Sequence, residues 1–113
     1  MTGLGVAKRL TRSAEDLVGH FWRIAEHVDT RTLQAARDEL KGIVVKVKSD
    51  GVTPFDHVQE IRDAQNGLIN IMADAKKALS DPNLSDAERS TLQSVLSQAS
   101  QMMEWTRQYI PPQ

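Results

Sequence analysis

Apolar residues along this chain recur at alternating steps of three and four. Two clusters of turn formers interrupt them, Ser49-Asp50-Gly51-Val52-Thr53 and Ser80-Asp81-Pro82-Asn83-Leu84-Ser85. A helix turns once every 3.6 residues, so such positions fall on one side of it and the pattern predicts amphipathic helices. The first predicted helix covers about 10–28. Ser13 with Asp16 three residues on resembles a capping box, and Leu10, Ala14, Leu17, Phe21, Ile24 and Val28 make the inner stripe. Val18, Trp22 and Ala25 add a second stripe, wider than one neighbouring helix would cover.

Asp29 or Thr30 opens a second helix, about 30–48, with Val28 and Leu33 where a hydrophobic staple would sit. Leu33, Ala36, Leu40, Ile43 and Val47 keep the rhythm. The β-branched run Ile43-Val44-Val45-Lys46-Val47-Lys48 could also be a strand. Helix is favoured because the rhythm is unbroken and no second strand-like segment offers a partner. Gly51 can close this helix, and Thr53-Pro54 can cap a third over about 54–79, with Val58, Ile61, Leu68, Met72, Ala75 and Leu79 inward. Gln65 and Gly67 interrupt that seam. The pair can mark a kink, a close helix crossing or a register-fixing buried amide; the plainer reading is a polar residue tolerated near a helix edge. Ser85 and Glu88 form a capping box for a fourth helix, about 85–109, with Leu92, Val95, Ala99 and Met102 inward. Leu96, Met103 and Ile110 flank this seam, Trp105 lies beside it, and Pro111-Pro112 ends the helix. The expected fold is all-α, an antiparallel up-down four-helix bundle with a long C-terminal hairpin. One domain spans 1–113, with an N-terminal arm at about 1–9 and a tail at 110–113.

The 113 residues, 40% hydrophobic and 26% charged, suit one globular domain with its own core. The lack of cysteine removes disulfides and thiolate metal sites. No apolar run approaches the roughly 20 residues of a membrane span. At the start, charges follow a very short apolar stretch, the wrong order for a cleaved signal peptide, so a cytoplasmic protein is expected, with signal-less secretion as the alternative. The net charge of −1 gives no electrostatic reason for nucleic acid as main partner. Residues 1–48 hold nine Lys/Arg against six Asp/Glu, and residues 49–113 hold five against nine, a mild polarity that could favour head-to-tail packing of the halves or of neighbouring subunits and that solvated helix faces explain equally well.

Candidate chemistry is sparse. Asp16 and His20 lie one turn apart, but two ligands do not make a metal site, and His20 and His27 are about 10 Å apart along a helix. Together with His57 they read as surface or boundary histidines. Ser90, Ser94, Ser97 and Ser100 lack the context of a nucleophile and read as a wet helix face. Glu60, Asp63 and Asp74 lack the Glu-x-x-His pairs of a carboxylate-bridged metal bundle. Lys46 spoils a calcium loop around Gly51. No metal, no cofactor and no enzymatic activity are expected. Arg37, Lys41 and Lys48 form a basic stripe, with Lys8, Arg9 and Arg12 near the start, and support a DNA-binding regulator as the alternative function. The third helix, however, opens with acidic residues that repel phosphates.

The favoured function is a non-enzymatic interaction or assembly module: an adaptor, inhibitor, secretion component or phage accessory protein. Trp22, Met102, Met103, Trp105 and Ile110 lie beside the core seams and are the candidate partner surface, for another protein or a second copy of the chain. Equally, these wide faces could pack on each other within one protomer. Ser80-Asp81-Pro82 between two long helices resembles the hairpin of type III secretion needle subunits, although the amino-terminal half is longer than that family carries.

Overall fold

The computed structural model describes residues 13–42 and 56–111. They form four helices: α1 Ala14–Ala25, α2 Thr30–Leu40, α3 His57–Leu79 and α4 Asp86–Arg107. This is the expected all-α bundle, with the last two helices about twice as long as the first two.

Each helix start is chemically marked. The side chains of Ser13, Asp29, Asp56 and Ser85 accept hydrogen bonds from the backbone N–H three residues on, satisfying donors that a first helical turn leaves open. At Ser85 the capping box is complete, as expected. Three caps thus fall where the sequence placed them, whereas α3 begins on Asp56 rather than on Thr53-Pro54, which lie outside the described residues. The predicted extent of α2 is corrected too. It ends at Leu40, and Gly42 (φ +84°) takes the left-handed conformation just beyond, its N–H donating to Glu39 O at 2.9 Å. Ile43 to Lys48 and Gly51 lie outside the described residues.

α3 and α4 form an antiparallel hairpin, closed at the turn by Arg89, whose guanidinium donates to the carbonyls of Leu79 and Asp81 (both 3.2 Å). At the opposite end Gln65 is buried and donates to Thr106 Oγ1 (3.1 Å) and to Ile110 O (2.8 Å). The buried, register-fixing amide is therefore the observed role of Gln65, not the helix-edge role. α1 also runs antiparallel to α3: His27 faces Glu60, and His20 and Ile24 face Gly67 further along. A simple up-down order would set α1 parallel to α3. The difference arises because α1 and α2 each pack on α3 instead of forming a hairpin together.

Two apolar clusters result. The larger joins Leu17 and Phe21 of α1 to Leu68, Ile71 and Ala75 of α3 and to Leu92, Val95, Ala99 and Met103 of α4. The smaller holds Val28, Leu33, Ala36, Ile61, Ala64 and Ile110. Val28 and Leu33, the two staple positions, are both buried there. Beside this cluster Glu39 bridges α2 to α3. Its Oε1 accepts from the His57 N–H (2.7 Å) and, more weakly, from the Val58 N–H (3.3 Å), while its Oε2 pairs with the His57 imidazole. A carboxylate at a helix N-terminus is favoured both by the open N–H groups and by the helix dipole.

Candidate functional site

Residues 20, 23, 24 and 27 fall on one side of α1, and residues 60, 63 and 64 on one side of α3. Where the two helices meet, His20, Arg23, Ile24, His27, Glu60, Asp63 and Ala64 line an open groove of about 460 Å³. Gly67 sets how closely the helices approach. A Cβ at that position would lie 2.5 Å from Ile24 Cδ1 and 3.8 Å from His20 Nε2, so any larger residue pushes on a side chain of the groove. Gly67 is thus the mark of a close crossing.

The groove has an apolar floor, Ile24 and Ala64, and ionisable walls. His27 Nδ1 lies 3.7 Å from Glu60 Oε1, with the side chains 68% and 43% exposed. Such an exposed pair contributes little to stability and leaves both groups open to a ligand. The Asp63 carboxylate accepts from Gln59 Nε2 at 2.8 Å, and Arg23 Nε donates back to Gly19 O at 3.4 Å. Two carboxylates, two imidazoles and one guanidinium therefore line the groove.

The structure sorts the residues singled out in the sequence. Trp22 is 54% exposed and meets Phe21 edge-to-face. Met102 and Trp105 are half-buried against the clusters. Met103 and Ile110 are buried, 4% and 0% exposed, which corrects their placement on an outward surface. The reason is helical phase. The inner seam of α4 runs Leu92, Val95, Ala99, Met103 and Thr106, so Met103 points inward and Met102 flanks it. Ile110 folds under the smaller cluster because Gln65 holds its carbonyl. Of the basic stripe, Arg37 stacks on the Tyr109 ring at 4.9 Å, Lys41 is exposed at the end of α2, and Lys48 lies outside the described residues. The sequence did not bring His20 and His27 together with Glu60 and Asp63. The spacing of the histidines speaks only to shared metal chelation along α1, and the carboxylates come from a helix some 35 residues on. Among the described residues no three or more His, Asp or Glu are placed to hold a metal ion, and no helix is long and apolar enough to cross a membrane.

Comparison with curated proteins and with solved structures finds no match. The model of one family, Bacterial toxin 28, matches residues 9–112, nearly the whole chain. The chain therefore belongs to the bacterial toxin 28 family.

Proposed function

We propose that this chain is a toxin module that acts by binding a protein target, with the α1–α3 groove as its contact face. The family match supports the toxin role. The observation that carries the contact face is the convergence of ionisable side chains from two helices on an apolar floor; the half-exposed Trp22 points to nearly the opposite side of α1 and is a separate candidate contact. Tryptophan is enriched among residues that dominate binding energy. The acidic balance of the groove favours a protein over a polyanion, and Arg37 is already engaged on Tyr109. The alternative, DNA binding through Arg37, Lys41 and Lys48, predicts a salt-sensitive gel shift that charge reversal of these residues abolishes. A cysteine-free chain suits action in the reducing cytoplasm. A twofold dimer through Trp22 is the self-association to seek by analytical ultracentrifugation.

One observation favours a second, catalytic reading. His20, His27 and Arg23 share the groove, so one imidazole could accept a proton and the other donate one while the guanidinium holds an anionic substrate group.

Induced expression in a bacterial host separates the readings. Growth arrest by the parent chain is expected. The double change Glu60→Gln with Asp63→Asn should relieve it while leaving the melting temperature nearly unchanged, and Trp22→Ala reports whether the far side of α1 contributes as well. Relief by His20→Gln or His27→Gln, with the Glu60 and Asp63 double change still fully toxic, would replace binding by catalysis. Relief by none of them would remove the groove from the mechanism.

A further inference from the structure

We infer that the α1–α3 groove receives a lysine or arginine side chain presented by the partner protein. This rests on the groove's being the contact face and adds the chemistry it recognises. Charge complementarity carries the choice. Glu60 and Asp63 stand one turn apart on α3, and among the described residues no Lys or Arg pairs with either. Among the described residues Glu60 meets the imidazole of His27 at 3.7 Å and Asp63 the neutral amide of Gln59. Arg23, the groove's own cation, bonds back to Gly19 O through Nε at 3.4 Å and, among the described residues, forms no ion pair with either carboxylate. Between these carboxylates and the α1 wall lie Ile24 and Ala64, an apolar seat for a side-chain stem. A lysine or arginine has this two-part form: a hydrocarbon stem that packs on apolar surface and a cationic head that seeks carboxylates. The volume of about 460 Å³ leaves room for such a side chain and part of its backbone. An anionic or purely apolar occupant would leave one half of this arrangement unmatched.

The test uses the intact chain with isotope labels at isoleucine methyls and backbone amides. A capped Ala-Lys-Ala peptide should shift the Ile24 methyl and the Ala64 amide saturably. The norleucine counterpart keeps the stem but lacks the charge, and should bind about tenfold more weakly, the loss of roughly one charge-assisted hydrogen bond. The double change Glu60→Gln with Asp63→Asn should weaken the lysine peptide to a similar degree. Both substitutions are near-isosteric on exposed positions, and an unchanged amide spectrum elsewhere verifies the fold. Equal binding of the two peptides, no saturable shift at Ile24, or preferential shifts with inorganic phosphate would each overturn the inference. Should the peptide fail while the double change Glu60→Gln with Asp63→Asn still relieves growth arrest, the contact face stands and the basic ligand falls. Should neither respond, both fall.

Discussion

The two apolar clusters of this bundle are built differently. The larger, around Leu17, Phe21, Leu68, Ile71, Leu92 and Val95, joins three helices through apolar side chains alone. The smaller, around Val28, Leu33, Ile61 and Ile110, is ringed by polar links: Gln65 to Thr106 and Ile110, Glu39 to His57 and Val58, and Arg37 on Tyr109. Burial of apolar area drives the first and is nondirectional. The second has less to bury, and directional contacts hold a short helix and the chain's end in one arrangement. The large cluster thus supplies most of the stability, and the small one supplies the geometry of the groove end, where His27 and Glu60 sit.

Leu68→Ala should break the comparison most severely. Leu68 is fully buried in the large cluster, and truncating such a side chain costs about 2–5 kcal/mol through lost transfer energy and the cavity left behind. In a domain of this size each kcal/mol lowers the melting temperature by roughly 4–8 °C, so a fall above 8 °C is expected by calorimetry. A fall below 3 °C would show that the large cluster is not the main source of stability.

Gln65→Ala tests the smaller cluster and should cost about 1–3 kcal/mol, since it strands the Ile110 carbonyl as well as removing two hydrogen bonds. The effect should be local. The Ile110 N–H, bonded to Thr106 O at 2.9 Å, should exchange with solvent much faster, while amides around Leu92 and Val95 lose protection only in proportion to global stability. Uniform loss of protection would mean that the two clusters unfold as one unit.

The same division explains what the sequence made legible. Ser13, Asp29 and Ser85 were readable as caps because each bonds a backbone N–H only three residues away. The inner stripes of α1 and α4 followed from periodicity, with an error of one position at Met102 and Met103 where a four-residue step replaced a three. Gly42 is not legible as a helix end because the apolar rhythm continues through Ile43 and Val47, and a glycine's left-handed turn leaves no mark on periodicity. Gln65 and Gly67 were visible as interruptions, but their partners lie 41 and 45 residues away for Gln65 and on α1 for Gly67. The groove was illegible for the same reason: no local rule pairs His20 and His27 with Glu60 and Asp63.

Glu39→Ala should have a smaller effect, about 1 kcal/mol, in the range for loss of a helix cap. The pair is largely shielded, with side chains 15% and 14% exposed, so added salt should restore little of the loss. Amides in the first turn of α3 should exchange faster. A wild-type exchange rate there would show that Asp56, which caps the Gln59 N–H at 2.9 Å, suffices alone.

The smallest expected effect belongs to Asp29. Its carboxylate accepts from the Thr32 backbone N–H at 2.7 Å and from the Thr32 side chain, and these bonds hold its pKa below the ordinary carboxylate value, with Arg31 adding a minor electrostatic contribution. Hydrogen bonds to the charged form stabilise the folded state only while the group is ionised. The contribution is therefore complete above the carboxylate's unfolded pKa of about 3.9, and it disappears as pH falls through the lower folded value. Asp29→Asn separates charge from capping, since asparagine caps nearly as well but does not titrate. The variant should be less stable than the parent by at most about 0.5 kcal/mol at pH 7, because Asp29 is exposed and solvent screens it. In urea titrations the difference should shrink as pH falls below the ordinary carboxylate pKa and vanish once Asp29 is protonated in the folded state. A gap that widens on acidification would require Asp29 to be stabilised in its protonated form, and would transfer the cap's role from its charge to a neutral contact.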